Sequence, residues 1–128
     1  MNNKNLIDNL KKKGTIKSKK IEKVMLKIKR SEYCMCNSLI NRPNPILKNQ
    51  TMSAPHIHAM TLQILSSKLK PGAHVLDIGC GTGYLTACFA SLLNVNKNPK
   101  SKVVGIDIYK DIINLSKNNI KSSNPEFL

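Results

Sequence analysis

Apolar residues set a helical period at the start of the chain, lose it, and recover it in blocks separated by short apolar runs. Leu6, Ile7 and Leu10 stand at i, i+1 and i+4, which predicts a first helix, and Lys11-Lys12-Lys13-Gly14 supplies a cationic last turn and a glycine stop. Ile21, Val24, Met25 and Ile28 follow at i, i+3, i+4 and i+7, with Ser18 as the expected N-cap. Residues 31–52 carry no period, and Asn41-Arg42-Pro43-Asn44-Pro45 reads as a loop. Ser53-Ala54-Pro55 predicts a helix start with the serine as cap and proline in the first turn; Ile57, Met60, Ile64 and Leu65 are its expected apolar face.

Beyond it, Lys70-Pro71-Gly72 is a turn in which glycine takes the positive φ. His74 to Ile78 reads as a short buried strand, Gly79-Cys80-Gly81-Thr82-Gly83 as a tight loop, and Leu85, Cys88, Phe89 and Leu92 as a helix. A polar loop from Asn94 to Ser101 leads to a second strand, Lys102 to Asp107. Asp111 is then the expected cap of a last helix with Ile112, Ile113, Ser116 and Ile120 on one side. Strand, glycine loop, helix, strand and helix form a βαβ unit, so the fold class is α/β with parallel strands.

The 128 residues amount to one domain, and 41% apolar content is ordinary for a globular chain. No run approaches the ~20 apolar residues of a membrane span, and Met1-Asn2-Asn3-Lys4-Asn5-Leu6 lacks the apolar core of a secretory signal. A cytoplasmic, reduced setting is the default expectation, with Cys34, Cys36, Cys80 and Cys88 as thiols. Of the net charge of +14, nine units fall within residues 1–30. Three Tyr, two Phe and no Trp leave few stacking platforms for nucleic acid, and asparagine is abundant beside lysine. The basic arm therefore reads as a solvated face rather than a nucleic-acid site.

The glycine loop carries the most chemistry. A glycine turn between strand and helix lets a ligand approach the backbone beside free helix N–H groups. The dinucleotide pattern needs G-x-G-x-x-G/A, but here the third glycine comes one place early and Tyr84 stands where a small residue belongs. No Gly-Lys-Ser/Thr follows, which excludes the P-loop. Asp77, two residues before the first glycine, would repel a pyrophosphate and favour a ligand with ammonium and sulfonium charges, as in S-adenosyl-L-methionine. Asp107, at the end of the second strand, suits a ribose diol.

Val75-Leu-Asp-Ile-Gly-Cys-Gly-Thr-Gly-Tyr84 resembles the first motif of class I S-adenosylmethionine-dependent methyltransferases. With Arg30-Ser-Glu-Tyr33, Ser53-Ala-Pro-His-Ile-His58 and Leu85-Thr-Ala-Cys-Phe-Ala90, the chain over residues 4–128 resembles the protein-L-isoaspartate (D-aspartate) O-methyltransferases, especially their eukaryotic form. The resemblance implies a Rossmann-like three-layer fold with a parallel sheet, incomplete here and preceded by N-terminal helices. It implies a helical and loop segment at 1–52 and the first half of the cofactor domain at 53–128. The implied reaction is methylation of the α-carboxyl of L-isoaspartyl and D-aspartyl residues in damaged proteins, which initiates their repair.

By position, the resemblance implies that Gly79, Gly81 and Gly83 shape the cofactor loop, that Asp77 lies near the methionine portion and that Asp107 holds the ribose. Gln50, Thr51, Met52, Ser53 and His58 approach cofactor and substrate, with Ser53 at the family's active-site serine. From the residues alone Ser53 is either an N-cap, worth ~1 kcal/mol, or a functional hydroxyl; the resemblance favours a donor that orients the substrate carboxylate rather than a nucleophile. His56 reads as a surface residue, and no metal is expected, because Cys34-x-Cys36 is closer than zinc pairs usually are. Cys88 reads as packing, and Tyr84 either packs under the loop or edges the cofactor. The family continues beyond this length, so the 128 residues are expected to be a partial product of a longer monomeric protein. The alternatives are another class I methyltransferase, acting on RNA or a small molecule, and a non-catalytic fragment.

Overall fold

The computed structural model describes residues 2–34 and 38–128; the thiol expected at Cys36 lies outside them. Helices α1 (Asn3–Lys12) and α2 (Lys19–Lys27) form where the apolar period predicts them. Asn2 caps α1 by accepting from the Asn5 N–H, and Ser18 caps α2 by accepting from the Ile21 N–H. Gly14, at φ +75°, releases the chain between them. Leu6, Ile7, Leu10, Ile21, Val24 and Met25 are all buried, so the two amphipathic stripes face inward together.

The stretch expected to be loop contains a small antiparallel hairpin, β1 (Asn44–Pro45) and β2 (Thr51–Met52). Lys48 and Asn49 both take left-handed φ values, 58° and 56°, which reverse the chain within the short connection. Two-residue strands leave no periodicity for a sequence reading to find.

Helix α3 (Pro55–Leu65) starts at the expected proline, but its inward face is Pro55, His58, Ala59 and Leu62. Ile57, Met60, Ile64 and Leu65 are exposed, Ile64 by 75%, contrary to the expected apolar face. The helix is apolar nearly all round, so spacing alone could not select the side that meets the core. The Gln63 Oε1 accepts from the Lys17 and Ser18 backbone N–H groups and ties α3 to the start of α2.

Strands β3 (His74–Ile78) and β4 (Lys102–Ile106) pair in parallel, residue for residue from His74–Lys102 to Ile78–Ile106, and are connected through α4 (Tyr84–Leu93). Val75 and Val103 pack towards the core, whereas Leu76, Ile78, Val104 and Ile106 stay exposed on the opposite side. The β3 strand is thus in place but not buried, since among the described residues only β4 pairs with it. The last helix, α5 (Lys110–Ser123), buries Ile112, Ser116 and Ile120. Its N-cap is Tyr109; Asp111 sits inside the first turn and pairs with Lys48 at 3.3 Å, so it does not cap.

Among the described residues one core runs from α1 to α5. Residues of α1 and α2 pack with Ile28, Tyr33, Ala59, Leu62, Tyr84, Ala87, Cys88 and Leu93. The buried Tyr33 hydroxyl donates to Asn124 Oδ1 at 2.6 Å, fastening the end of α5 to the segment after α2. Burial raises the Tyr33 pKa, keeping it a donor. Tyr33→Phe strands a buried amide oxygen and is expected to cost about 1–2 kcal/mol, read as a lower urea midpoint with an unchanged slope.

Candidate active site

Five residues between β3 and α4 build the floor of the site. Gly79, Gly81 and Gly83 take φ values of +79°, +54° and +89°, a sequence of left-handed steps that other residues resist. The backbone N–H groups of Gly79 and Cys80 both donate to the Ile106 carbonyl at the end of β4, at 2.8 and 2.9 Å. Gly81 N–H donates to Asp107 Oδ2 at 3.1 Å, and Ile108 N–H to Asp107 Oδ1 at 2.8 Å. Asp107 thereby pins the loop with one lone pair of each oxygen and keeps acceptor capacity for a ligand, as a carboxylate offers about four sites.

The glycines divide by role. A Cβ at Gly79 would meet nothing within 4 Å, and one at Gly81 only Ile46 Cδ1 at 3.6 Å and the Gly79 carbonyl oxygen at 4.0 Å, so both present bare backbone to the cavities they line. Gly83 lines neither; it packs against Ser116 and Ile120 of α5. Gly83, which the resemblance places among the glycines that shape the cofactor loop, also serves helix packing, because only a residue without Cβ lets α4 and α5 approach there.

Asp77 stands at the C-terminal end of β3 and accepts a 2.6 Å hydrogen bond from the Thr86 hydroxyl, one turn into α4. Burial pushes its pKa above the ordinary carboxylate value; the Thr86 bond opposes this and the Asp107 charge adds to it. Two carboxylates at one ligand surface create a field that a cation relieves.

The facing wall comes from β2 and α3. The cap position of α3 is Ala54, not Ser53, and the His56 N–H is satisfied instead by the Asn41 side chain at 3.0 Å. Asn41 also bonds His56 Nδ1 at 2.9 Å, so His56 is a structural partner of that loop. The capping duty expected of Ser53 is met from twelve residues upstream, and Ser53 stays exposed at the cavity. His58 is buried, its Nδ1 3.0 Å from Arg30 Nη1, and the second Arg30 nitrogen donates to the Ser53 carbonyl at 2.7 Å. Burial, with the Arg30 charge, pushes the His58 pKa down to about 3, so the imidazole is neutral at physiological pH. The Tyr84 ring lies 5.0 Å from that of His58 and 5.8 Å from Tyr33, packed beneath the loop with an edge on the cavity.

Thr51, Met52, Ser53, His58, Asp77, Gly79 and Gly81 line one cavity of about 190 Å³. Gln50, Thr51, Gly79, Gly81 and Asp107 line a second, of about 330 Å³, that shares the glycine loop with the first. Nine of the ten expected site residues thus meet at two adjoining cavities, and Gly83 is the exception. A further cavity of about 350 Å³ opens between β4 and α5 and shares only Cys80 with them. Among the described residues no group of three or more His, Cys, Asp or Glu could hold a metal.

Residues 1–128 match the family model for protein-L-isoaspartate(D-aspartate) O-methyltransferase (PCMT). The chain belongs to the protein-L-isoaspartate(D-aspartate) O-methyltransferase family. It is 41% identical over 120 residues to protein-L-isoaspartate O-methyltransferase 2 of Arabidopsis thaliana, covering 92% of this chain and 38% of that one. With the Caenorhabditis elegans protein-L-isoaspartate O-methyltransferase it shares 36% over 126 residues, 98% of this chain and 54% of the relative. A Plasmodium falciparum crystal structure described as a protein-L-isoaspartate O-methyltransferase, in complex with S-adenosyl-L-homocysteine, superposes with a TM-score of 0.96 at 41% identity, over 98% of this chain and 58% of that one.

This member of the methyltransferase family therefore spans about half the length of the curated relatives it matches. Its α/β architecture is the first, helix-covered part of the class I, Rossmann-like fold. No helix among the described residues is long and apolar enough to cross a membrane. The roles of three supporting residues were not read from the sequence: Arg30, counted with the basic arm yet 1% exposed; Thr86, which holds Asp77; and Asn41, which accepts from an N–H in the first turn of α3. The available signal for Arg30 was its place in the Arg30-Ser-Glu-Tyr33 stretch, where an arginine follows a run of lysines.

Proposed function

We propose that this chain provides the cofactor-binding half of an S-adenosyl-L-methionine-dependent methyltransferase acting on the α-carboxyl of L-isoaspartyl, and D-aspartyl, residues in damaged proteins. The observation that carries the reading is that Ser53, His58 and Asp77 line one cavity while Asp107 lines the next across shared glycines. The residues present suit the cofactor. Asp77 would hold its ammonium-bearing methionine portion, Asp107 the ribose hydroxyls, and Gly79 and Gly81 admit it against bare backbone, with Ile46, Ile106 and Ile108 as apolar neighbours. When bound, the cofactor supplies an electrophilic methyl group on a cationic sulfur.

The chain's own contribution is orientation. An α-carboxylate is ionised at neutral pH, from a reference pKa of ~3.5, so no general base is required. The Ser53 hydroxyl is not taken up by the helix cap and can donate to that carboxylate, and the neutral His58 does not compete as an acid. Aligning a carboxylate with a fixed electrophile accounts for the catalysis, because effective molarity is gained by position. The proposal takes residues 1–52 as the helical cover, 53–128 as the cofactor half, a cytoplasmic location, and a monomeric full-length protein with no role for nucleic acid.

The test is transfer of labelled methyl from S-adenosyl-L-methionine to an isoaspartyl peptide and its aspartyl twin, by the 128-residue chain and by the chain extended with the C-terminal half of the Arabidopsis relative. Label on the isoaspartyl peptide alone, in either protein, is expected. Label on both peptides, or on neither with both proteins, rejects the reading. Ser53→Ala should lower turnover by roughly 10- to 100-fold, the loss of one hydrogen bond to a charged group, with S-adenosyl-L-homocysteine affinity changed less than threefold.

A further inference from the structure

The Arg30 guanidinium is buried and has no carboxylate within ion-pair distance among the described residues, and its Nε finds no acceptor there. An arginine is ordinarily buried against an acid, since a desolvated charge is costly. Arg30 instead spends its two terminal nitrogens on the Ser53 carbonyl, at 2.7 Å, and on His58 Nδ1, at 3.0 Å. Its face lies 5.9 Å from the centre of the Tyr84 ring, a cation–π placement that returns part of the lost solvation.

A guanidinium offers five N–H donors and no acceptor. The imidazole nitrogen facing it must therefore present a lone pair, which leaves the ring proton on Nε2. We propose that Arg30 is a positioning residue that locks His58 as the Nε2–H tautomer and fixes the Ser53 backbone beside it. Two hydrogen-bond donors, the imidazole N–H and the serine hydroxyl, are thereby set in one cavity wall for a carboxylate oxygen. The benefit to catalysis rests on the methyl-transfer reading of this cavity; the tautomer lock does not.

The groups that bear on His58 are Arg30 from the turn after α2, Tyr84 from α4 against the ring, and Asp77 and Cys80 across the cavity. Burial first, and the Arg30 charge second, keep the ring neutral.

The experiment needs neither cofactor nor turnover, so its failure is distinguishable from failure of the functional reading. Long-range proton–nitrogen correlation spectra are recorded on the histidine-labelled 128-residue chain, with His58 assigned by its disappearance in His58→Gln. A single tautomer with Nδ1 bare and Nε2 protonated, unchanged from about pH 5 to 8, is expected. An Nδ1–H tautomer or an imidazolium in that range overturns the proposal without any variant. In Arg30→Met the single-tautomer signal should be lost and the titration should move up from about 3, by the share that the Arg30 charge contributes. Should that variant not fold, Arg30→Leu, which likewise offers no donor, takes its place. Retention of the wild-type pattern in a folded variant of either kind overturns the proposal.

Discussion

Asp77→Asn should bind S-adenosyl-L-homocysteine roughly 10- to 100-fold more weakly than the wild-type chain and yet unfold at a higher temperature at pH 7. The first half follows from removing a charge that would meet the ligand's ammonium group, a contact typically worth about 1.5–3 kcal/mol. The second follows from the carboxylate's position. Burial raises its folded pKa above the unfolded value, with the Thr86 hydroxyl opposing and Asp107 reinforcing the shift. Between the two pKa values the native state holds more protons than the unfolded chain, so stability falls as pH rises through that window. Above the folded pKa the penalty is complete, and the neutral amide escapes it while still accepting from Thr86.

The stabilisation of Asp77→Asn should accordingly be largest near neutrality and vanish as pH falls below about 4, where the wild-type acid is also uncharged. Thermal melts of both chains at pH 7 and pH 4, with calorimetric titration of the ligand, read the two effects separately. A variant that melts lower than wild type at pH 7 would show that the Thr86–Asp77 bond outweighs the desolvation. That opposition is typical of functional sites, where a group is kept in a costly state for what it binds. Asp77 and Asp107 are two of only seven acids in a chain of net charge +14, so the anionic floor of this site runs against the charge of the whole molecule.

What the sequence made legible is whatever is local in the chain. The glycine loop, Asp77 and Asp107 are fixed by a βαβ unit, and the structure brings its turn and strand ends together at two adjoining cavities. What it hid depends on partners far apart in sequence. Arg30 meets His58 and the Ser53 carbonyl from 28 and 23 residues away, so its burial is invisible in a run of lysines. Asn41 accepts from the His56 N–H of α3 across a loop, the cap position is Ala54, and Ser53 lines the cavity. The exposed stripe of α3 is a different failure: period 3.6 shows that a helix has an apolar side, but two apolar sides cannot be ranked without their neighbours.

The other large effect is expected at Gly83. Gly83→Ala adds a Cβ that would fall 2.5 Å from Ser116 Oγ and 3.3 Å from Ile120 Cδ1, at a φ of +89° that alanine resists. The left-handed backbone costs about 1–2 kcal/mol, and forcing α5 outward adds about 1–3 kcal/mol of overpacking. The variant should therefore lose roughly 2–5 kcal/mol in denaturant titration, a large share of what holds a domain of this size together. Gly81→Ala is the contrast, because its Cβ would meet nothing nearer than Ile46 Cδ1 at 3.6 Å, leaving about 1–2 kcal/mol of backbone strain. Its main effect should appear in ligand affinity, since the new methyl enters the floor of both cavities. Adding Ser116→Ala to Gly83→Ala removes the nearest clashing atom and should recover about 1 kcal/mol, a coupling that a double-mutant cycle isolates. Equal losses at Gly81 and Gly83, with no coupling to Ser116, would mean that both glycines serve backbone conformation alone and that the close approach of α4 to α5 is not what requires the third.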